Sequence, residues 1–573
     1  MRSLQAGLVA LSMAGSVAAA EAPADRLLTN GRIWTAETAA PWAEAVAIRA
    51  DRIVYVGTSA GAAALRGPKT EVIDLKGRLV TPGFNDSHIH IAEGAISLER
   101  VDLIEDQDLA AVQARIKAFA AANPKSEWVL GRGWLYGSFP GGLPTKEQMD
   151  AVVSDRPAWM TCYDGHSGWA NSKALALAGI TKDTKDPLNG VIVRDPKTGE
   201  PTGALKESAT ELVTKLIPEP QGEARYALVV KALELLSSQG LTSVQDCGGL
   251  LGGGILGNSD SPGDIELFDR ARKEGKLSVR ITGSAVMEQG KVAEAIAVAQ
   301  KAHERYHDDM LRVSAVKGFV DGVIEAHTAA MFTPYADDPS FGLGLPNWDA
   351  EKLKEAVTQV DTAGLQVYLH AIGDRGVRMA LDAHGAALAA NHRTDRRGRI
   401  EHIETIQAAD IPRFKELGVI ASMQPLHANP DKNNFDVWSK NAGPDRASRA
   451  WVWKRIEDAG GRLAFGSDWP VVTSDVFRGL YTATTRKTRE GTPAGGWLPE
   501  LAVSLDHALR HYTIDGAFAS FDEKEKGSIA VGKKADVIVL SEDLFKTPPE
   551  TILKTKVLLT LMDGKPVYRA AGF

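Results

Sequence analysis

An α/β fold with a parallel sheet is predicted by three observations: helix–glycine–strand units in series, apolar strands that end in polar residues, and flanks that change to a short-strand rhythm. Five units recur: KALELLSSQG-LTSVQD (231–246), DRARKEG-KLSVRITGS (269–284), EAVTQVDTAG-LQVYLH (355–370), PRFKELG-VIASMQP (412–425) and KRIEDAGG-RLAFGSD (454–468). In each, an amphipathic helix stops at a glycine suited to a left-handed C-cap. The strand that follows is apolar throughout, as expected where helices cover both faces of the sheet. RVSAVKGF (312–319), IEHIE (400–404) and GFNDSHIH (83–90) bring the set to eight. Eight strands fit a (β/α)8 TIM barrel; a doubly wound open sheet gives the same local signal.

The flanks read differently. Residues 26–80 hold short alternating strands with turn signals (RLLTNGRIWTA, AVAIRADRIVYVG, TEVIDLKGRLV), and the last 48 residues repeat that rhythm in GSIAVGKKADVIVL and KVLLTLMDGKPVYR. Residues 21–82 and 526–573 are therefore expected to join as one small composite β-sandwich domain, because chain termini often lie close together, leaving 83–525 for the barrel. A segment of about 125–215, rich in Trp, Gly and Pro (WVLGRGWLYGSFPGGLPT), follows the first barrel strand as an insertion placed to cover a site there. The Gly-rich run 248–257 reads as a loop after the second strand; it lacks the Lys-Ser/Thr ending of a phosphate loop.

Residues 1–20 have the pattern of a signal peptide, with Arg2, an apolar stretch from Leu4 to Val17 and Ala18-Ala19-Ala20 before Glu21, so export to the periplasm or beyond is expected. No other stretch supplies about 20 consecutive apolar residues, and no membrane span is expected. The formal charge of the 573 residues is 66 − 73 = −7, or −8 without the leader, which favours neither nucleic acid nor an anionic membrane as partner. Cys162 and Cys247 each lie in an apolar run and are expected as buried free thiols. A homo-oligomer is left open.

His88 and His90 sit two apart, which in a strand turns both rings to one face, able to grip one ion. The pair alone is weak evidence. His370, His402 and Asp468 each end a different apolar strand, at the barrel end where ligands collect, and four His with one Asp on one rim are costly to desolvate without a shared cation. Lys317 interrupts the apolar strand RVSAVKGF, where an ammonium needs a partner, neutralisation or chemical change. An ion pair with Asp321, a Schiff base and a carbamate formed with carbon dioxide are the alternatives; the carbamate suits a position among metal ligands.

With these residues in place, the sequence resembles the amidohydrolase superfamily, in the amidohydrolase 3 branch that includes N-substituted formamide deformylases. The resemblance runs from TNGRIWT and RLVTPGFNDSHIH through DGHSGWANS, VKGFVDG, LHAIGDRGV, IEHIE and FGSDWPV to GSIAVGKKADVIVL. It implies a (β/α)8 barrel, a composite β domain and a divalent metal site, usually zinc. By motif, His88, His90 and Asp468 would hold one ion and His370 and His402 a second, with a carboxylated Lys317 bridging; relatives with one metal lack that Lys. After Lys317, many relatives resemble DGSLGSRTA, whereas this chain reads DGVIEAHTA (321–329), which brings Glu325 and His327 toward the presumed pocket as substrate contacts or solvated loop residues. His166, in the inserted segment, is a candidate to meet the substrate or its carbonyl oxygen, with Asp164, Trp169 and Asn171 supporting the loop. Trp134, Tyr136, Phe139 and Trp169 suit an apolar pocket or, equally, local core.

The function expected is hydrolysis of a non-peptide C–N bond in a small amide by a metal-bridging hydroxide, with Asp468 as general base and acid. Ester or lactone hydrolysis and mononuclear deamination fit the same scaffold, and an exported metal-binding protein is the non-enzymatic alternative.

Overall fold

The computed structural model describes residues 22–163, 165–188, 190–252 and 263–573. The leader, Asp164 and most of the Gly-rich run after 248 lie outside the described residues. Eight parallel strands form a nearly closed barrel: β1 (Phe84–Ile89), β2 (Leu241–Asp246), β3 (Arg280–Met287), β4 (Leu311–Phe319), β5 (Gln366–Ala371), β6 (Arg399–His402), β7 (Ile420–Met423) and β8 (Arg462–Phe465), each paired with the next. The barrel thus replaces the open-sheet alternative. β8 and β1 meet just beyond their ladders, where Asp468 N–H donates to His88 C=O at 2.7 Å and His90 N–H donates to Trp469 C=O at 2.8 Å. The seam is tight: a Cβ at Gly466 would lie 2.5 Å from the His88 nitrogen.

The helix-stopping glycines take the expected backbone, with φ of 83° at Gly240, 70° at Gly275, 81° at Gly364, 63° at Gly418 and 81° at Gly460. Each delivers the chain into a strand whose apolar residues are buried under the helices; Val244, Ile281, Val313, Leu369, Ile400 and Leu463 share one core. No helix among the described residues is long and apolar enough to cross a membrane. Both cysteines are buried and outside any disulfide, and Cys162 Sγ donates to the Trp134 carbonyl at 3.2 Å.

The chain termini share a six-stranded sheet in which Val537–Leu540 runs antiparallel to Leu79–Pro82 and continues through Val557–Met562 to Lys565–Arg569. A four-stranded sheet of residues 26–74 packs on it through Leu28, Val46, Val80, Val537 and Leu559. A third sheet, six strands from Val101–Asp102 to Pro201–Glu207, stands between β1 and β2 of the barrel. It begins ahead of residue 125, because the two-residue strand at Val101 pairs with Val129–Trp134 and the helix Leu109–Ala122, capped by Asp108, packs on the same sheet.

Candidate metal centre and active-site cavity

His88, at 0% exposure near the end of β1, and Lys317, also 0% exposed and in β4, face the barrel mouth with His370 in β5 and His402 at the end of β6. Asp468 follows β8 and His90 caps the helix after β1. The structure brings all six together on the rim of one cavity of about 1340 Å3. His90 Nε2 lies 2.9 Å and His88 Nε2 3.4 Å from Asp468 Oδ1, and His402 Nδ1 lies 3.8 Å from Asp468 Oδ2. The His402 ring is 4.8 Å from that of His88 and 4.5 Å from that of His370, centre to centre. His402 and Asp468 hold φ of 75° and 63°, the left-handed region that a side chain with a Cβ adopts at a cost.

The surroundings fix these rings. His88 Nδ1 donates to Glu401 Oε2 at 2.7 Å, and the fully buried Arg399 grips Glu401 through Nε–H to Oε1 at 2.8 Å and Nη2–H to Oε2 at 3.0 Å. Nε2 of His88 therefore keeps its lone pair toward Asp468. His88, Cys247 and Glu401 also lie close enough to suggest a metal site. That trio does not qualify, since Glu401 is taken up by Arg399 and burial pushes the Cys247 thiol up, away from thiolate. The second close group, His88, His402 and Asp468, has the open donor atoms.

Those open atoms are the test of whether a cation fits. His88 Nε2, His402 Nδ1, Asp468 Oδ1, His427 Nε2 and Lys317 Nζ are buried and make no directed hydrogen bond. Five orphaned polar atoms in one place are far from the usual few per hundred residues, and imidazole and carboxylate donors match a divalent ion. Protonation agrees. Burial, then the Lys317 charge, holds His88 down at about 4 and His370 at about 3, so both rings are neutral near pH 7. Burial and the neighbouring His370 and His88 push His402 well below its usual range. For His90, burial opposes the charge but contact with Asp468 outweighs it and raises the pKa. Burial likewise opposes ionised Asp468, and its interactions with the His88, His90 and His402 rings outweigh it, keeping the carboxylate well below its normal range.

The remaining residues singled out in the sequence are scattered. His166 lines the cavity with Nδ1 3.0 Å from Glu207 Oε2. Glu325, 9% exposed, also lines it and accepts from the Tyr163 hydroxyl and, at 3.4 Å, from Asn433 Nδ2. His327 turns into its own loop, 2.8 Å from Asp337 Oδ2 and stacked on Phe341. Trp134 and Trp169 do not line the cavity: both are fully buried in the inserted segment's core and donate their indole N–H to the Met160 and Thr145 carbonyls. Asn171 caps the helix that begins at Ser172. Asp321 is no partner for Lys317; its oxygens accept from the backbone N–H groups of Ala330, Ile372 and Gly373 at 2.8–3.0 Å. Two cavity residues went unread in the sequence. His427, after β7, places Nε2 3.6 Å from Asp468 Oδ2 with its ring parallel to that of His402. Glu404, 6% exposed, accepts from Trp438 Nε1 at 2.6 Å and is held well above the usual carboxylate range by burial and then by Glu325.

A parallel barrel whose C-terminal rim gathers buried imidazoles, an aspartate and an unpartnered lysine defines a metal-dependent hydrolase. Residues 71–568 match the amidohydrolase family, and the chain belongs to it. It is 32% identical to the protein LONG AFTER FAR-RED 3 of Arabidopsis thaliana, over 95% of this chain and 92% of that one. It is 27% identical to the N-substituted formamide deformylase of Arthrobacter pascens, over 96% and 99%. Among solved structures, an uncharacterized metal-dependent hydrolase from Pyrococcus horikoshii OT3 superposes with a TM-score of 0.69 at 26% identity, over 91% of this chain and 99% of that one.

Proposed function

We propose that the protein hydrolyses the C–N bond of a small non-peptide amide, with two divalent cations, zinc in the first instance, held by His88, His90, Asp468, His370, His402 and a carboxylated Lys317. The single observation that carries this reading is Lys317 Nζ, fully buried among the histidines with no hydrogen-bond acceptor. A neutral amine there adds carbon dioxide, releases a proton and becomes a carbamate whose two oxygens satisfy what the amine lacks. The likeness to a formamide deformylase supports an amide as substrate.

Bound divalent cations make water acidic enough to attack at neutral pH and polarise a carbonyl. Asp468 then takes the proton from the attacking water and returns it to the departing nitrogen. Its carboxylate is ionised and reaches the cavity between His90 and His427, which suits both halves of that transfer. His166, its Nδ1 held by Glu207, is placed on the wall to donate to the carbonyl oxygen as charge grows there. No side chain acts as nucleophile. The test is an amide, ester and aminopurine panel read for released amine, acid and ammonia, before and after chelation and zinc return. Amine release that vanishes on chelation and reappears with zinc supports the reading; ester turnover without amide turnover refutes it.

A further inference from the structure

The barrel mouth is chemically two-sided. Asp468 and His427 follow β8 and β7, and in a cylinder of eight strands β4 lies opposite β8. On that opposite side the inward positions turn apolar. Val286 of β3 is the register partner of Lys317, and Phe319 of β4 is the partner of His370, so each shares the inward face with the residue beside it. Both are half-buried on the cavity wall, and the Phe319 ring lies 5.4 Å from the His370 ring and 4.9 Å from Lys317 Nζ. Asn347 N–H donates to Val320 C=O at 2.8 Å, which carries Trp348 onto the same wall. Ala295 and Val298, one turn apart in the helix Val292–Arg305, prolong the wall to the mouth, where Val298 is left 46% exposed. The polar groups nearest to it are exposed at the rim and engaged there: Lys291 with Glu288 at 2.8 Å, and Gln289 Oε1 with the Asp349 N–H at 2.8 Å. Apolar surface that starts beside the candidate ligands and ends in water favours an apolar ligand, by about fourfold for each methylene it covers.

We propose that Val286, Phe319, Trp348, Ala295 and Val298 form the subsite for the acyl group, so that the preferred substrate is the amide of a medium-chain or arylalkyl carboxylic acid rather than a formamide. In the hydrolysis proposed above, Asp468 returns a proton to the departing nitrogen, which places that nitrogen on the β8 side and points the acyl group across the barrel. The choice of the acyl side therefore rests on the amide-hydrolase reading; the apolar wall stands on its own geometry.

The experiment lengthens each side of the amide in turn on the zinc-loaded enzyme and reads released amine. N-methylacetamide against N-methylhexanamide extends the acyl side, and N-ethylformamide against N-hexylformamide extends the amine side by the same number of methylenes. In parallel, the unfolding midpoint is read with acetate and with hexanoate at equal ionic strength. The expected kcat/KM gain is about tenfold or more along the acyl series and under about threefold along the amine series. The acyl gain shrinks in Phe319→Ala and in Val286→Thr, the second of which keeps the side-chain shape while adding a hydroxyl. Hexanoate raises the midpoint more than acetate does, and both variants reduce that excess. A flat acyl series, a larger gain along the amine series, or an acyl gain that survives in both variants overturns the proposal. If no amide is cut while the hexanoate excess falls in both variants, the amide reading fails and the apolar wall holds; with no turnover and no excess, both fail.

Discussion

Replacing Lys317 by Met is expected to move the metal-free and the metal-loaded protein in opposite directions. Lys317 Nζ is wholly buried, has no hydrogen-bond acceptor and sits 4.9 Å over the Phe319 ring. A buried polar group left unsatisfied costs about 1–3 kcal/mol, and Met fills nearly the same volume without that demand, so the metal-free variant gains about that much. In the loaded protein the same change would remove the proposed carbamate ligand. A ligand present at 1,000 times its Kd stabilises the native state by about 4 kcal/mol, and losing most of that outweighs the gain. Guanidinium denaturation of chelator-stripped and zinc-loaded protein, followed by Trp fluorescence and accompanied by metal content per chain, reads both arms. A metal-free Lys317→Met protein that is less stable than the metal-free parent refutes the idea of an orphaned amine; a variant that still holds two metals refutes the bridging role.

Asp468→Asn should retain the fold and lower kcat by about 10²- to 10⁴-fold, and near-normal turnover would remove it as the proton carrier. Glu401→Gln, which loosens the grip on His88 Nδ1 across 2.7 Å, should weaken zinc affinity by about 10- to 100-fold in a competition titration with a chromophoric chelator; unchanged affinity would mean that the ring is oriented by packing alone. His511 gives a pH test away from the metal. Burial opposes its charge, but the hydrogen bonds to Asp515 and Glu457 outweigh it and lift the pKa to about 9. A raised histidine stabilises fully below its unfolded value near 6.5 and progressively less as pH climbs through 9. The stability gap between the parent and His511→Gln should therefore shrink by a few kcal/mol from pH 6.5 to above 9, and a gap that widens would reverse the assignment.

The barrel was readable because five of its eight strands are announced by a glycine that stops a helix and by a polar residue at the far end; His370 and Asp468 carry both marks. Other cavity residues carry neither. His427 sits in the short turn Pro425–Ala428, three residues beyond Gln424 at the polar end of its strand, where a lone histidine has no periodic partner to betray its direction. Glu404 was in plain view within IEHIE, but two residues past His402 the chain has already taken φ of 75° and 52°, so strand alternation no longer says where a side chain points. Trp134 and Trp169 show the reverse error: in a Gly-rich insertion, an aromatic ring that packs a small core and one that lines a pocket leave the same trace, and only their indole bonds to backbone oxygens separate them.

The seam between the last and first barrel strands has a consequence for biosynthesis. The backbone bonds that close the cylinder are made by the same two stretches, 88–90 and 468–469, that carry the proposed ligands His88, His90 and Asp468. A nascent chain can therefore build seven staves of the barrel and still have no ion trap, because its first two imidazoles wait for an aspartate that leaves the ribosome near the end of translation. The proposed site is thus completed only when the last barrel strand comes to rest against the first.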